Sequence, residues 1–345
     1  MDFEVLVEVT RGPLVESRHL GAAAVVDAAG RLLFSVGNPD LVTYLRSSAK
    51  PMQAVAVVES GAAAAYGFSP REIAIFAASH NGEEMHTTTV SRILARLGLD
   101  NRSLACGVHE PLHKATAERL REAGEAPSVL HNNCSGKHAG MLALARQMGV
   151  PTEGYYRPEH PVQQRILATV ASLTGMAPSE IAVGVDGCGV PVFGMPLRSA
   201  ALAFARLADP RQLAPERAAA VRQVVSAMQS NPEMVAGTDR FDTDLMRQTR
   251  PRVFCKGGAE GYYALGLLPD PTAGRPVGVG LALKVVDGDR DGRARPVAVM
   301  EALRQLGVLT DEDLTALAIY RSVEARNHRG DVVGQVRPAV VLHRT

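Results

Sequence analysis

Hydrophobic positions alternate with polar ones near the start of the chain and fall at helical spacing in its middle. Glu4 to Thr10, Ala23 to Val26 and Arg31 to Val36 read as strands, and a turn at Asp27 to Gly30 joins the last two into a hairpin. After Ser48 the period changes. Pro51 is acceptable in a first helical turn, and Ala54, Val55 and Val58 share one face of the helix that follows. From about residue 84 to 230 most segments predict helices, among them Val90 to Leu97, Met141 to Met148 and Gln163 to Leu173. Strand character returns at Arg252 to Cys255, Tyr262 to Leu268 and Pro276 to Val286. A helix is expected around Val297 to Leu306, and a last strand region spans Val332 to Leu342. Strands at both ends around a helical middle predict an α+β fold, with one antiparallel sheet and a helical lobe against it. The expected division is a single unit of two interleaved lobes, the sheet from about 1–50 and 250–345 and the helices from about 51–249. Regular βα alternation is missing, which argues against a Rossmann sheet.

Composition narrows the class of function. With 345 residues, 46% of them hydrophobic, the chain can bury a substantial core. A formal charge of +1 gives no electrostatic footprint for nucleic acid or an anionic membrane. MDFEVLVEVT lacks the basic and apolar regions of a signal peptide, and no apolar run of about eighteen residues occurs, so a soluble cytoplasmic protein is expected. Four scattered cysteines without a CxxC suggest neither a disulfide scaffold nor a zinc ribbon. Lysine is nearly absent: the 37 basic residues include five, Lys50, Lys114, Lys137, Lys256 and Lys284. Arg cannot give up its proton in a protein and a crowded Lys can, so the survivors mark candidate neutral amines.

Five stretches offer chemistry. In RSSAK, Ser47 and Lys50 stand three apart at a helix start, where a neutral Lys50 could take the hydroxyl proton and make Ser47 a nucleophile; chance spacing is the plain alternative. In ASHNGE, Ser79, His80, Asn81 and Gly82 could aim hydroxyl, amide and backbone donors at a ligand, or form an ordinary Asn-Gly turn. VFCKGGAEGYY puts Lys256 at a strand end before Gly257 and Gly258, like the Lys-Thr-Gly strand of active-site serine enzymes with glycine in place of the hydroxyl residue. HNNCSGKHAGML and GVDGCGVPVF supply Cys134, Lys137 and His138, then Asp186 and Cys188; thiolates and a nitrogen donor could hold zinc, and buried structural thiols are the alternative.

Taken together and in order, these motifs resemble the L-asparaginase II family of Rhizobium etli type, the class 3 L-asparaginases, over nearly the whole chain. The resemblance implies a fold like serine β-lactamases and glutaminases, and hydrolysis of L-asparagine to L-aspartate and ammonia by two Ser-Lys tandems. Carried over by position, these are Ser47 with Lys50 and Ser79 with Lys256. It also implies zinc held by Cys134, Lys137 and Cys188, and a homodimer. Arg46, His138 and Asp186 match positions in or near the pocket, with Arg46 a candidate for the substrate carboxylate and Asp186 for its ammonium; His80, Asn81, Gly82 and Gly257 are further candidates for substrate binding, Gly257 standing where the pattern leads one to expect a hydroxyl residue. Two rival readings remain: a glutaminase or β-lactam hydrolase of the same architecture, and a zinc or amino-acid sensor without turnover.

Overall fold

The alternating segments from the two ends of the sequence meet in one antiparallel sheet. In the computed structural model, which describes residues 2–345, this sheet belongs to a compact unit made of the chain up to Ser48, Met195–Asp209 and Asp244–Thr345. Among the described residues it has nine strands. The main path runs Val323–Arg326, Val332–Pro338, Glu4–Arg11, Leu14–Asp27, Val279–Val285, Tyr262–Leu267 and Val253–Gly257. Leu32–Val36 joins Leu14–Asp27 from the side and carries His343–Arg344. The α+β architecture expected from the sequence is therefore present.

Leu14–Asp27 is the central strand, and Ala22 to Val26 are all buried along it. The strand Val279–Val285 flanks it, and the helix Leu197–Ala208 packs across both and across Tyr262–Leu267. That helix approaches closely. A Cβ on Gly280 would lie 1.9 Å from the Ala201 carbonyl oxygen, so the contact requires glycine. Each Val or Leu buried in this layer contributes roughly 1.5 to 3 kcal/mol through removal of apolar surface from water.

The strand predicted from Ala23 in fact begins at Leu14, pairing with Glu4–Arg11 through the turn at Gly12 and Pro13. Its first half is largely exposed and polar, which hid the alternation, and Glu8 opposite Arg18 secures the register. The strand Val323–Arg326 was likewise concealed by its exposed charges.

The second unit, Ala49–Gly194 with Pro210–Thr243, is mainly helical. The helix Lys50–Glu59 forms its core: all its residues but Glu59 are buried, against helices Ser135–Met148, Pro161–Thr174 and Pro215–Ser230. A helix so enclosed must be apolar nearly all round; Gln53 is a buried polar exception, and Lys50 at the first position is the buried charged group that calls for explanation. Residues 182–196, expected within a helical stretch, instead form a hairpin of Ala182–Val185 and Pro191–Pro196, whose turn holds Asp186 to Val190. No helix among the described residues is long and apolar enough to cross a membrane.

Candidate active site

In the sheet unit, the fold brings the start of RSSAK, Arg46 to Ser48, against CKGG. Ser48 donates its hydroxyl to the Lys256 carbonyl oxygen at 2.6 Å. A Cβ on Gly258 would lie 2.6 Å from the Leu45 carbonyl oxygen, so the second glycine of the motif allows this approach. Lys256 is buried at the end of the strand Val253–Gly257, and its Nζ donates to the Gly257 carbonyl oxygen at 2.7 Å. Arg46 opens a short 3₁₀ turn, Arg46–Ala49, with φ of +50°, in the left-handed region. Such a conformation costs a non-glycine residue about 1 to 3 kcal/mol and is concentrated at functional sites. The strained residue directly precedes the half-buried Ser47. Its guanidinium faces Glu260 at 3.9 Å.

In the helical unit, Lys50 is 1% exposed. Its Nζ donates to the Ala78 carbonyl oxygen at 2.6 Å and to Ser79 Oγ at 2.8 Å. Burial pushes the amine below the usual lysine range; the negative charge available at Cys134 opposes this, and Lys137 reinforces it. The first turn of a helix is likewise a poor place for a cation. An amine this close to a serine hydroxyl can serve as a general base only in its neutral form, when its lone pair accepts the hydroxyl proton.

Around Ser79 the ASHNGE stretch is held tightly. The Ser79 backbone N–H donates to the Val235 carbonyl oxygen at 2.9 Å. The Gly82 N–H donates to His80 Nδ1 at 3.2 Å, so the ring proton is on Nε2, which lies 2.9 Å from Ser135 Oγ. Burial keeps His80 well below the usual histidine range, and it is neutral. Asn81 donates to the Thr238 carbonyl oxygen at 3.3 Å, while its buried Oδ1 has no partner among the described residues. Gly82 sits at φ +82°, as the turn requires.

The cysteine motifs converge in the same unit. Cys134 immediately precedes helix Ser135–Met148, Lys137 lies in its first turn, and Lys137 Nζ is 3.0 Å from Cys188 Sγ in the hairpin turn. Asp186 Oδ2 is 3.9 Å from the same sulfur. The two thiols share one negative charge: a hydrogen bond from Cys188, with Lys137 and Lys50 nearby, draws Cys134 well below the usual thiol range, while that bond and burial hold Cys188 up. Burial alone would lower Lys137, but the thiols and Asp186 outweigh it and keep the ammonium. Among the described residues no group of three His, Cys, Asp or Glu side chains could hold a metal, so any ion here would depend on Lys137 as third donor. Two soft thiols and an amine fit zinc, provided binding expels their protons. Cys106, near Cys134, is pushed up to about 12 mainly by burial and is a neutral thiol.

His138 lies next to Lys137 and is fully buried. Several participants had no signature in the sequence. Ser135, which holds His80, is an unremarked letter inside HNNCSGKH; His86 stacks on His80 with centroids 4.8 Å apart; and Tyr155 meets His138 from a separate loop.

A family model described as L-asparaginase II matches residues 7–338. No curated protein sequence matches the chain. Among solved structures, a Bacillus glutaminase is 12% identical with a TM-score of 0.39, over 84% of this chain and 91% of that one. A mutant class A β-lactamase of the last common ancestor of Gram-negative bacteria is 16% identical with a TM-score of 0.39, over 82% and 92%. A probable glutaminase from Bacillus subtilis, complexed with 6-diazo-5-oxo-L-norleucine, is 12% identical with a TM-score of 0.40, over 84% of each chain. Likenesses this remote carry no argument about chemistry.

Proposed function

The chain belongs to the L-asparaginase II family, and we propose that it hydrolyses the side-chain amide of L-asparagine to L-aspartate and ammonia through a serine acyl-enzyme. The family is one of hydrolases acting on amides. The observation that carries the reading is a fully buried lysine, its pKa lowered by burial, on a serine hydroxyl at 2.8 Å. Neutral Lys50 takes the serine proton as the oxygen bonds to the carboxamide carbon; the C–N bond breaks, the amine returns the proton, and ammonia leaves. Water then gives a proton to Lys50 as it attacks the ester carbon; the acyl C–O bond breaks, Lys50 returns the proton to the serine oxygen, and aspartate leaves. Backbone N–H groups at the start of a helix are suited to the developing oxyanion.

In the first assignment Ser47 is the nucleophile, supported by the strained Arg46 before it, and Ser79 with Lys256 forms the second tandem. In this reading Arg46 receives the substrate carboxylate and Asp186 its ammonium. The Lys50–Ser79 hydrogen bond favours a second assignment, with Ser79 as nucleophile. Rapid quench with a slow ester substrate, followed by peptide mass spectrometry of Ser47→Ala and Ser79→Ala, decides between them: the variant lacking the nucleophile forms no adduct. Cys134, Lys137 and Cys188 would hold zinc, which would supply a fixed cationic centre that tunes substrate affinity. A homodimer in the cytoplasm completes the proposal. Ammonia release from a panel of amides tests it, and binding without turnover would favour the sensor reading.

A further inference from the structure

His138 and Tyr155 form a buried pair that the proposed reaction does not use. The Tyr155 hydroxyl oxygen is 2.6 Å from His138 Nδ1 and 3.0 Å from the Ala105 backbone nitrogen. The Ala105 N–H can only donate, so the phenol oxygen accepts there, and of these two neighbours only His138 Nδ1 can take the phenol proton. Nδ1 is therefore the accepting nitrogen, and the ring proton sits on Nε2. Tyr155 is itself fixed: Gln163 donates to its carbonyl oxygen at 2.9 Å, and its ring meets the imidazole edge-on at 82°.

His138 Nε2 is buried and has no partner among the described residues. Leaving a buried donor unpaired costs about 1 to 3 kcal/mol, which marks it as a group kept for an acceptor. We propose that Tyr155 is a positioning residue that holds His138 in the Nε2–H tautomer, so that the ring is a fixed, uncharged donor to a carbonyl or carboxylate oxygen of the bound ligand. A protonated Nε2 has no lone pair to give, so His138 is not a ligand of a metal at Cys134, Lys137 and Cys188. The ligand's identity rests on the proposed function; the tautomer does not.

Long-range ¹H–¹⁵N correlation spectra of the full chain, with His138 assigned by difference against His138→Gln, read the tautomer directly. Nε2 should be protonated both without metal and after adding zinc, and its resonance should move on saturation with L-aspartate. Tyr155→Phe should disturb the tautomer pattern and raise KM for L-asparagine about fivefold, one hydrogen bond's worth, with kcat little changed. An unprotonated Nε2, a zinc-induced shift of the kind direct ligation produces, an unmoved resonance with aspartate, or an unaltered pattern in Tyr155→Phe would overturn the proposal. Should that variant not fold, the wild-type spectra decide. Absence of ammonia release would sink the hydrolase reading and leave the tautomer result standing.

Discussion

Replacing Lys50 by Met removes the amine and nearly preserves its shape. Two quantities should respond differently. The variant loses the hydrogen bonds to the Ala78 carbonyl oxygen and Ser79 Oγ, at 2.6 and 2.8 Å. An acceptor left unpaired costs about 1 to 3 kcal/mol, but the variant also escapes the desolvation that depresses the amine's pKa, so net stability should stay within about 2 kcal/mol of wild type. Turnover should fall by the general-base contribution, about 10² to 10⁴-fold, or roughly 3 to 5 kcal/mol of barrier. Lys50→Arg should fail similarly, because it keeps the charge and cannot accept the proton. The pH dependence has a definite sign. The folded pKa of Lys50 is lowered, so between it and the unfolded value near 10.4 the unfolded chain binds a proton that the folded chain has released. Wild-type stability should therefore rise with pH across that window relative to Lys50→Met, and wild-type turnover should rise as pH passes upward through the lowered value. Ammonia release and urea unfolding over a range of pH measure both. A kcat within tenfold of wild type, or stability curves that run parallel, would refute the reasoning.

Cys188→Ser removes the sulfur beside Lys137, and metal analysis after equilibration with zinc should show binding well below the one ion per chain expected of wild type; equal uptake would exclude Cys188 as a ligand. Burial raises Asp313, but Arg252 at 2.7 and 3.0 Å, with Thr310, takes it down to about 2. Its contribution, about 2 kcal/mol, is present above the unfolded value near 3.9 and lost as pH falls through about 2, so the stability gap to Asp313→Asn should close on acidification, and a gap independent of pH in acid unfolding would contradict it. Gly237 sits at φ +111° with its Cβ position 2.2 Å from the Asn81 side chain, so Gly237→Ala should lower stability by about 1 to 3 kcal/mol and raise KM by displacing Asn81; an unchanged melt and KM would show that the loop yields freely.

Much of this architecture could be read from residue order, and the failures have physical causes. Ala23 to Val26 announced a strand because they are buried on both faces, whereas Leu14 to Leu20, mostly solvent-facing, did not. The hairpin from Ala182 to Pro196 was obscured by segments too short to show a period. At the site, the scarcity of lysine marked five residues, and the motifs and the family resemblance singled out Lys50, Lys137 and Lys256, all three of them buried. Spacing along the chain suggested Ser47 as the partner of Lys50, yet the hydroxyl that Lys50 touches is Ser79, twenty-nine residues away. Cys188 meets Lys137 from fifty-one residues away, and Tyr155 meets His138 from seventeen. Contacts of that kind are made by packing, and one sequence carries no local trace of them.

The sheet has a consequence for synthesis on the ribosome. Leu14–Asp27 leaves early, but its neighbour Val279–Val285 follows more than two hundred residues later, and the partner of Glu4–Arg11, Val332–Pro338, later still. At about 5 to 20 residues per second, the apolar edge of Ala22 to Val26 waits roughly 10 to 50 seconds for the strand that covers it. The helical unit has its last residue at Thr243, and so can be complete while that edge is still open. Translation speed and chaperone supply, more than the stability of the finished fold, should therefore govern how much of this protein a cell recovers.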